Sequence, residues 1–263
     1  MARAPLPEAR GGRQALLEAR DEHLERLGSR WNTSVIEGAL GLEGIYLDLA
    51  RASFLEDGDV DGFFHHAFLA ASARARLLDC VAHGMACPGD RLRSIGLRAL
   101  YAAIASGDRK LPRELAKSPL TALPAAGGPK SEVAFAEALR LLTAGERPEA
   151  ASPARAFARS LPDPDDGRAA ILAGLCASDA VRFNAGLQAF VEALPQRPGE
   201  ARLSIEALAF ARLGKGAGLP VTVHDPAIWS ELLGEAEAPY PDPAAVFPKR
   251  ADEILDVSER ERL

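Results

Sequence analysis

Apolar residues recur along most of the chain at spacings of three and four, the period of an α-helix that buries one face. Leu16, Leu17, Ala19, Leu24 and Leu27 make a first stripe. Val35, Ile36, Ala39, Leu40, Leu42, Ile45, Tyr46, Leu49 and Phe54 make a second, with Thr33 or Ser34 as its N-cap. Phe63, Phe64, Ala67, Phe68, Ala71, Ala75, Leu78 and Val81 predict a third helix, closed by Gly84. The same periodicity predicts helices over about 90–105, 110–121, 131–144, 152–160, 167–177, 180–194 and 199–213. Two-residue alternation is nearly absent. Leu219–Val223 is the one strand candidate, and Pro220 restricts it to a sheet edge.

Several stripes end in the same way. A small residue closes the apolar run, and the next helix starts after Gly58-Asp59, Gly107-Asp108, Gly145-Glu146 or Ser178-Asp179. Glycine accommodates a helix C-terminus, and an acidic side chain suits the following N-terminus. The predicted fold is therefore all-α, an irregular array of stacked antiparallel helical hairpins. The spacings from Gly58 to Gly107 and from Gly107 to Gly145 are 49 and 38 residues, so no strict 34-residue repeat is supported. We expect a single helical domain over 1–263, with the Pro/Gly-rich stretch 118–131 as the best candidate subdivision. A Pro-rich charged tail, 234–263, is expected to dock on the body through Tyr240, Val246, Phe247 and Ile254.

Composition narrows the function class. The chain has 263 residues, 48% apolar and 26% charged, and a formal charge of −6. A basic nucleic-acid-binding domain is disfavoured by that balance. The charge is uneven: residues 1–130 carry a net +1 and residues 131–263 a net −7. An acidic half attracts basic partners. Three cysteines without a CxxC pair (Cys80, Cys87, Cys176) argue for a reducing compartment. With no apolar leader and no long uncharged span, the expected location is the cytosol, away from membranes.

No motif assembles a reactive centre. Asp57, Asp59, Asp61 and Gly62 match the start of a calcium loop, but Phe68 stands where the bidentate Glu belongs. An acidic turn ahead of a helix is the simpler expectation. His65 and His66 are adjacent and point about 100° apart on a helix. His23, His83 and His224 lie far away without a zinc-type pattern. Leu213–Gly218 follows a helix, lacks Walker spacing, and is expected to be a helix C-terminus. Cys80 and Cys176 are expected to be core thiols. We expect no metal, no cofactor and no enzymatic activity.

One stretch resembles a known family. Residues 183–233, from "FNAGLQAFVEAL" into "EARLSIEALAFARLGKGAGLPVTVHDPAIWSELL", resemble the C-terminal signature of the immunity protein 49 family of bacterial polymorphic-toxin systems. The matching positions are Ile205, Leu208, Ala209, Ala211, Gly218, Pro220, Val221, Val223, Asp225, Leu232 and Leu233. The resemblance covers about a fifth of the chain, and its motif is structural rather than catalytic. It implies an all-helical cytosolic protein that neutralises a cognate toxin by direct binding; apart from the resemblance, the chain is expected to be a monomer or homodimer. A basic nuclease fits an acidic inhibitor better than a membrane-acting toxin does. Candidate contact residues are Asp57, Asp59, Asp61, Asp163, Asp165, Asp166, Glu231, Glu235 and Glu237, with Trp229 and Tyr240 as aromatic anchors. For Trp229, core packing of the last helix is the simpler expectation. The alternative from another class is a helical-repeat scaffold or adaptor for endogenous partners.

Overall fold

The structure is a computed structural model that describes residues 9–28, 32–82, 84–87, 97–118, 130–161, 167–194 and 203–247. Most of the 118–131 stretch, Asp163, Asp165, Asp166, His83 and Ile254 lie outside the described residues. The fold is all-α, a multi-helix array in which successive helices within each compact unit pack on one another, with no β-strand among the described residues. The chain divides into two compact units, one of Met1–Gly89 with Ala236–Leu263 and one of Asp90–Glu235.

The first unit contains α1 (Ala9–Leu27), α2 (Asn32–Asp57) and α3 (Val60–Ala82), packed in succession. Helix α2 begins before Thr33 and Ser34, which lie in its first turn rather than capping it. Its stripe packs Ala39, Leu42, Tyr46, Leu49 and Phe54 against Phe63, Phe64, Ala67, Ala71 and Leu78 of α3, all buried. Gly84 closes α3 as expected, with its N–H on the Val81 carbonyl and that of Met85 on Cys80. One charged pair lies inside this hairpin: Arg74 Nε donates to Glu43 Oε2 at 2.9 Å, and the two side chains are 1% and 0% exposed.

The tail segment from Ala236 belongs to this same unit. Most of its residues to Val246 are half or fully exposed, but Phe247 is 2% exposed and meets Tyr46 edge-on at 6.4 Å. A short helix, α11 (Pro243–Val246), is capped by Asp242 and precedes it; we number it after the helices of the second unit.

The second unit runs through α4 (Arg98–Ser106), α5 (Leu111–Lys117), α6 (Lys130–Ala144), α7 (Arg147–Ser160), α8 (Arg168–Ala177), α9 (Ala180–Ala193) and α10 (Ile205–Gly216). Each packs on the next, and α10 packs back on α4. Helix α10 is central: Ala207 to Ala211 are all buried, and the Phe210 ring meets Tyr101, Phe135 and Phe190 at 5.2–6.3 Å. The turns follow the sequence expectation. Gly107 and Gly145 have φ of +80° and +90°, and the non-glycine Ser178 also lies in the left-handed region at +55°. Asp108 then accepts from the N–H groups of Lys110 and Leu111, and Asp179 from that of Arg182. Helix α7 starts five residues before the predicted 152. Pro148 sits in its first turn, where the missing N–H costs nothing, and Pro153 is inside.

Helices α8 and α9 approach backbone to backbone. A Cβ on Gly174 would sit 2.6 Å from Phe183 N, and one on Gly186 would sit 2.6 Å from Ile171 N. These positions have no room for alanine unless the helices move apart.

Candidate functional site

The second unit carries an open groove of about 460 Å³ on the chain that follows α10. It is lined by Val221, Val223, His224, Asp225, Ile228, Trp229, Glu231 and Leu233, among others. The local sequence explains why this stretch holds a fixed shape without being helix or sheet. Ser204 caps α10 by accepting from Ala207 N–H, and at the other end Gly218, at φ +80°, turns the chain out of the helix. Leu219 N–H then returns to the Gly214 carbonyl. From Leu219 to His224 the backbone is neither helix nor strand, so the edge-strand candidate finds no partner strand among the described residues. The side-chain amide of Asn184, on α9, takes that place: its Nδ2 donates to Pro220 O and its Oδ1 accepts from Thr222 N, both at 2.8 Å.

A tight turn follows. Asp225 Oδ1 accepts from Ala227 N–H at 2.8 Å, and the Asp225 carbonyl accepts from Ile228 N–H at 2.8 Å. Trp229, half-buried, then leads into a 3₁₀ turn, Ser230–Leu233, whose Leu232 is fully buried. That turn is pinned by two cations of α10. Arg212 donates to the carbonyls of Leu232 and Gly234, the latter at 2.8 Å, and Lys215 donates to Leu233 O at 2.8 Å. The lining therefore combines an apolar floor, one indole and two carboxylates on a braced backbone.

The structure brings Trp229 and Glu231 together in this groove and adds Asp225 to them, a residue whose turn-forming position gave no binding signal in the sequence. The other candidates go elsewhere. Glu235 is also in the second unit, ion-paired with Arg109 at 2.5 Å; both are largely exposed. The hydrogen bond from Arg109, and then its charge, hold the Glu235 carboxyl below its ordinary range.

Asp57, Asp59, Asp61, Glu237 and Tyr240 lie in the first unit, and the acidic turn is spent on three separate structural tasks. Asp57 pairs with Arg13 of α1. Asp59 caps α3, its Oδ1 accepting from Gly62 N–H at 2.8 Å. Asp61 accepts from the backbone N–H groups of Glu237 and Ala238, at 2.8 and 3.2 Å, and so holds the tail. Tyr240 stacks on Phe68 at 4.9 Å and meets His65 at 5.9 Å. Among the described residues no three His, Cys, Asp or Glu side chains converge as a metal site.

Several other titratable groups are buried or half-buried. His66 packs on Tyr46 at 6.1 Å, with its Nδ1 3.1 Å from Ser53 Oγ. Burial, helped by the charge of Arg13, pushes His66 down to about 4, and burial pushes Tyr46 up to about 12. Cys80 is buried and Cys87 and Cys176 half-buried; burial raises the thiols of Cys80 and Cys176. No helix of the described residues is long and apolar enough to cross a membrane. Comparison with protein-family models, with curated proteins and with solved structures gave no match.

Proposed function

We propose that the protein acts by binding: it is an immunity protein that neutralises a cognate bacterial toxin through direct contact, and it performs no chemistry of its own. The observation that carries this reading is the groove over Val221–Leu233, where the Trp229 indole stands beside Asp225 and Glu231. An aromatic side chain in an apolar depression is the kind of residue that dominates binding energy, and flanking carboxylates select a basic partner. The resemblance of 183–233 to immunity protein 49 covers this same groove, and the net −7 of residues 131–263 points to the same partner chemistry. A nuclease domain, basic because it must hold phosphate, fits better than a membrane-acting toxin. The chain's own negative charge opposes nucleic acid and anionic membranes as ligands.

The test is co-expression with the protein encoded immediately upstream. The two should co-purify. Trp229→Ala should weaken the complex at least about tenfold, mainly through faster dissociation, and Glu231→Gln should slow association and flatten its salt dependence. A complex indifferent to both substitutions would remove the groove from the interface. Failure to co-purify, with capture of housekeeping proteins instead, would favour the adaptor alternative.

A further inference from the structure

We infer that the groove receives its partner as an added β-strand, an extended basic segment laid along Val221–Val223; this rests on the groove being the binding site proposed above. The geometry starts from Asn184. Its single side-chain amide bonds both the carbonyl of Pro220 and the N–H of Thr222. One residue of a neighbouring parallel strand makes this same pair of bonds, its N–H donating to the C=O of residue i−1 and its C=O accepting from the N–H of residue i+1. The amide thus stands in for a strand on one edge and holds Pro220–Thr222 extended.

In an extended chain the polar groups of successive residues face opposite edges. Val221, between the two bonded residues, turns its own N–H and C=O to the edge away from Asn184. Val223 continues that edge. Neither valine makes a backbone hydrogen bond among the described residues, and both line the groove. A satisfied edge on one side and an unused one on the other is the arrangement that strand addition completes.

Charge identifies the occupant. The lining holds two carboxylates, Asp225 and Glu231, and no Lys or Arg; Lys215 is tied to Leu233 O and Arg212 to Leu232 O and Gly234 O. A strand bearing Arg or Lys at alternate positions meets this charge on a lining that also holds the Trp229 indole, a ring type that attracts guanidinium groups. An acidic strand is repelled.

The test titrates the full chain at low salt with a peptide alternating arginine and valine. Three further peptides accompany it: one with glutamate in place of arginine, one N-methylated at every arginine and one N-methylated at every valine. N-methylation removes donors from one edge of the peptide and leaves the protein untouched. The arginine peptide should bind at least about tenfold more tightly than the glutamate peptide. One methylated form should lose binding and the other keep it, and the Val221 and Val223 amide resonances should shift on binding. Binding that Trp229→Ala weakens but neither methylation affects would overturn strand addition and leave the groove as the binding site. No binding of the arginine peptide would overturn both.

Discussion

Replacing Arg74 with Met should destabilise the first unit more than any surface change. Arg74 and Glu43 are 1% and 0% exposed and 2.9 Å apart, so Arg74→Met leaves a carboxylate inside the α2–α3 hairpin without its guanidinium. Breaking a buried pair from one side costs about 3–5 kcal/mol, a large share of the roughly 5–15 kcal/mol that holds a domain together. With a urea slope of about 2 kcal/mol per molar, the unfolding midpoint should fall by about 2 M. Far-UV circular dichroism follows this, and hydrogen exchange in α2 and α3 assigns the loss to the first unit. The double variant Glu43→Leu/Arg74→Met supplies the control. It removes both charges and fills the space with apolar atoms, so it should recover most of the loss. A midpoint shift below about 0.5 M for Arg74→Met, or a double variant no better than the single one, would refute the claim that loss of the Arg74 charge beside the buried carboxylate sets the cost.

Two further outcomes concern the same unit. His66 is pushed down to about 4 in the folded protein, whereas the unfolded chain takes up the proton near the ordinary 6.5. Its contribution is therefore fully present above about pH 6.5, declines as the pH falls, and levels off below about 4 after a loss of up to about 3 kcal/mol. His66→Phe should flatten that slope in urea titrations across the window; an unchanged slope would assign the acid sensitivity to other groups. Asp61→Ala removes the acceptor of two tail N–H groups, and charged hydrogen bonds are worth about 1.5–3 kcal/mol. Exchange of the Glu237 and Ala238 amides should quicken about tenfold or more while that of mid-α3 stays constant.

What the sequence made legible depended on period and on local chemistry. The stripes from Val35 to Phe54 and from Phe63 to Val81 place α2 and α3, because burial of one face repeats every 3.6 residues whatever the partner. Gly107 with Asp108, and Ser178 with Asp179, mark turns because the left-handed residue and the capping carboxylate are both local requirements. Long-range assignments were not legible. Asp61 reads as part of an acidic turn, yet its partners lie in the tail at residues 237 and 238. Nothing in the local pattern of Asn184 announces that it braces Pro220 and Thr222. Arg74 did leave a signal: it lies three residues after Ala71 and four before Leu78, on the buried stripe itself. A charge at such a position calls for a buried counter-charge, although not for Glu43 in particular. Of the candidate site, Trp229 and Glu231 were visible from residue type, while the groove that joins them depends on a turn built by Asp225.

The first unit is assembled from two stretches of chain separated by about 150 residues. During synthesis, α1, α2 and α3 leave the ribosome first, whereas the segment carrying Tyr240 and Phe247 follows only after the whole second unit has been made. At about 5–20 residues per second, that interval is roughly 7–30 s. For its duration Tyr46 lacks the Phe247 ring, Phe68 lacks Tyr240, and Asp61 lacks the tail amides that it holds in the finished protein. The second unit is one continuous stretch and has no such wait. Maturation is therefore ordered by connectivity: the part of the polypeptide made first is completed last, and a chain cut short before residue 236 contains every helix that carries the groove while leaving the N-terminal hairpins without their C-terminal cover.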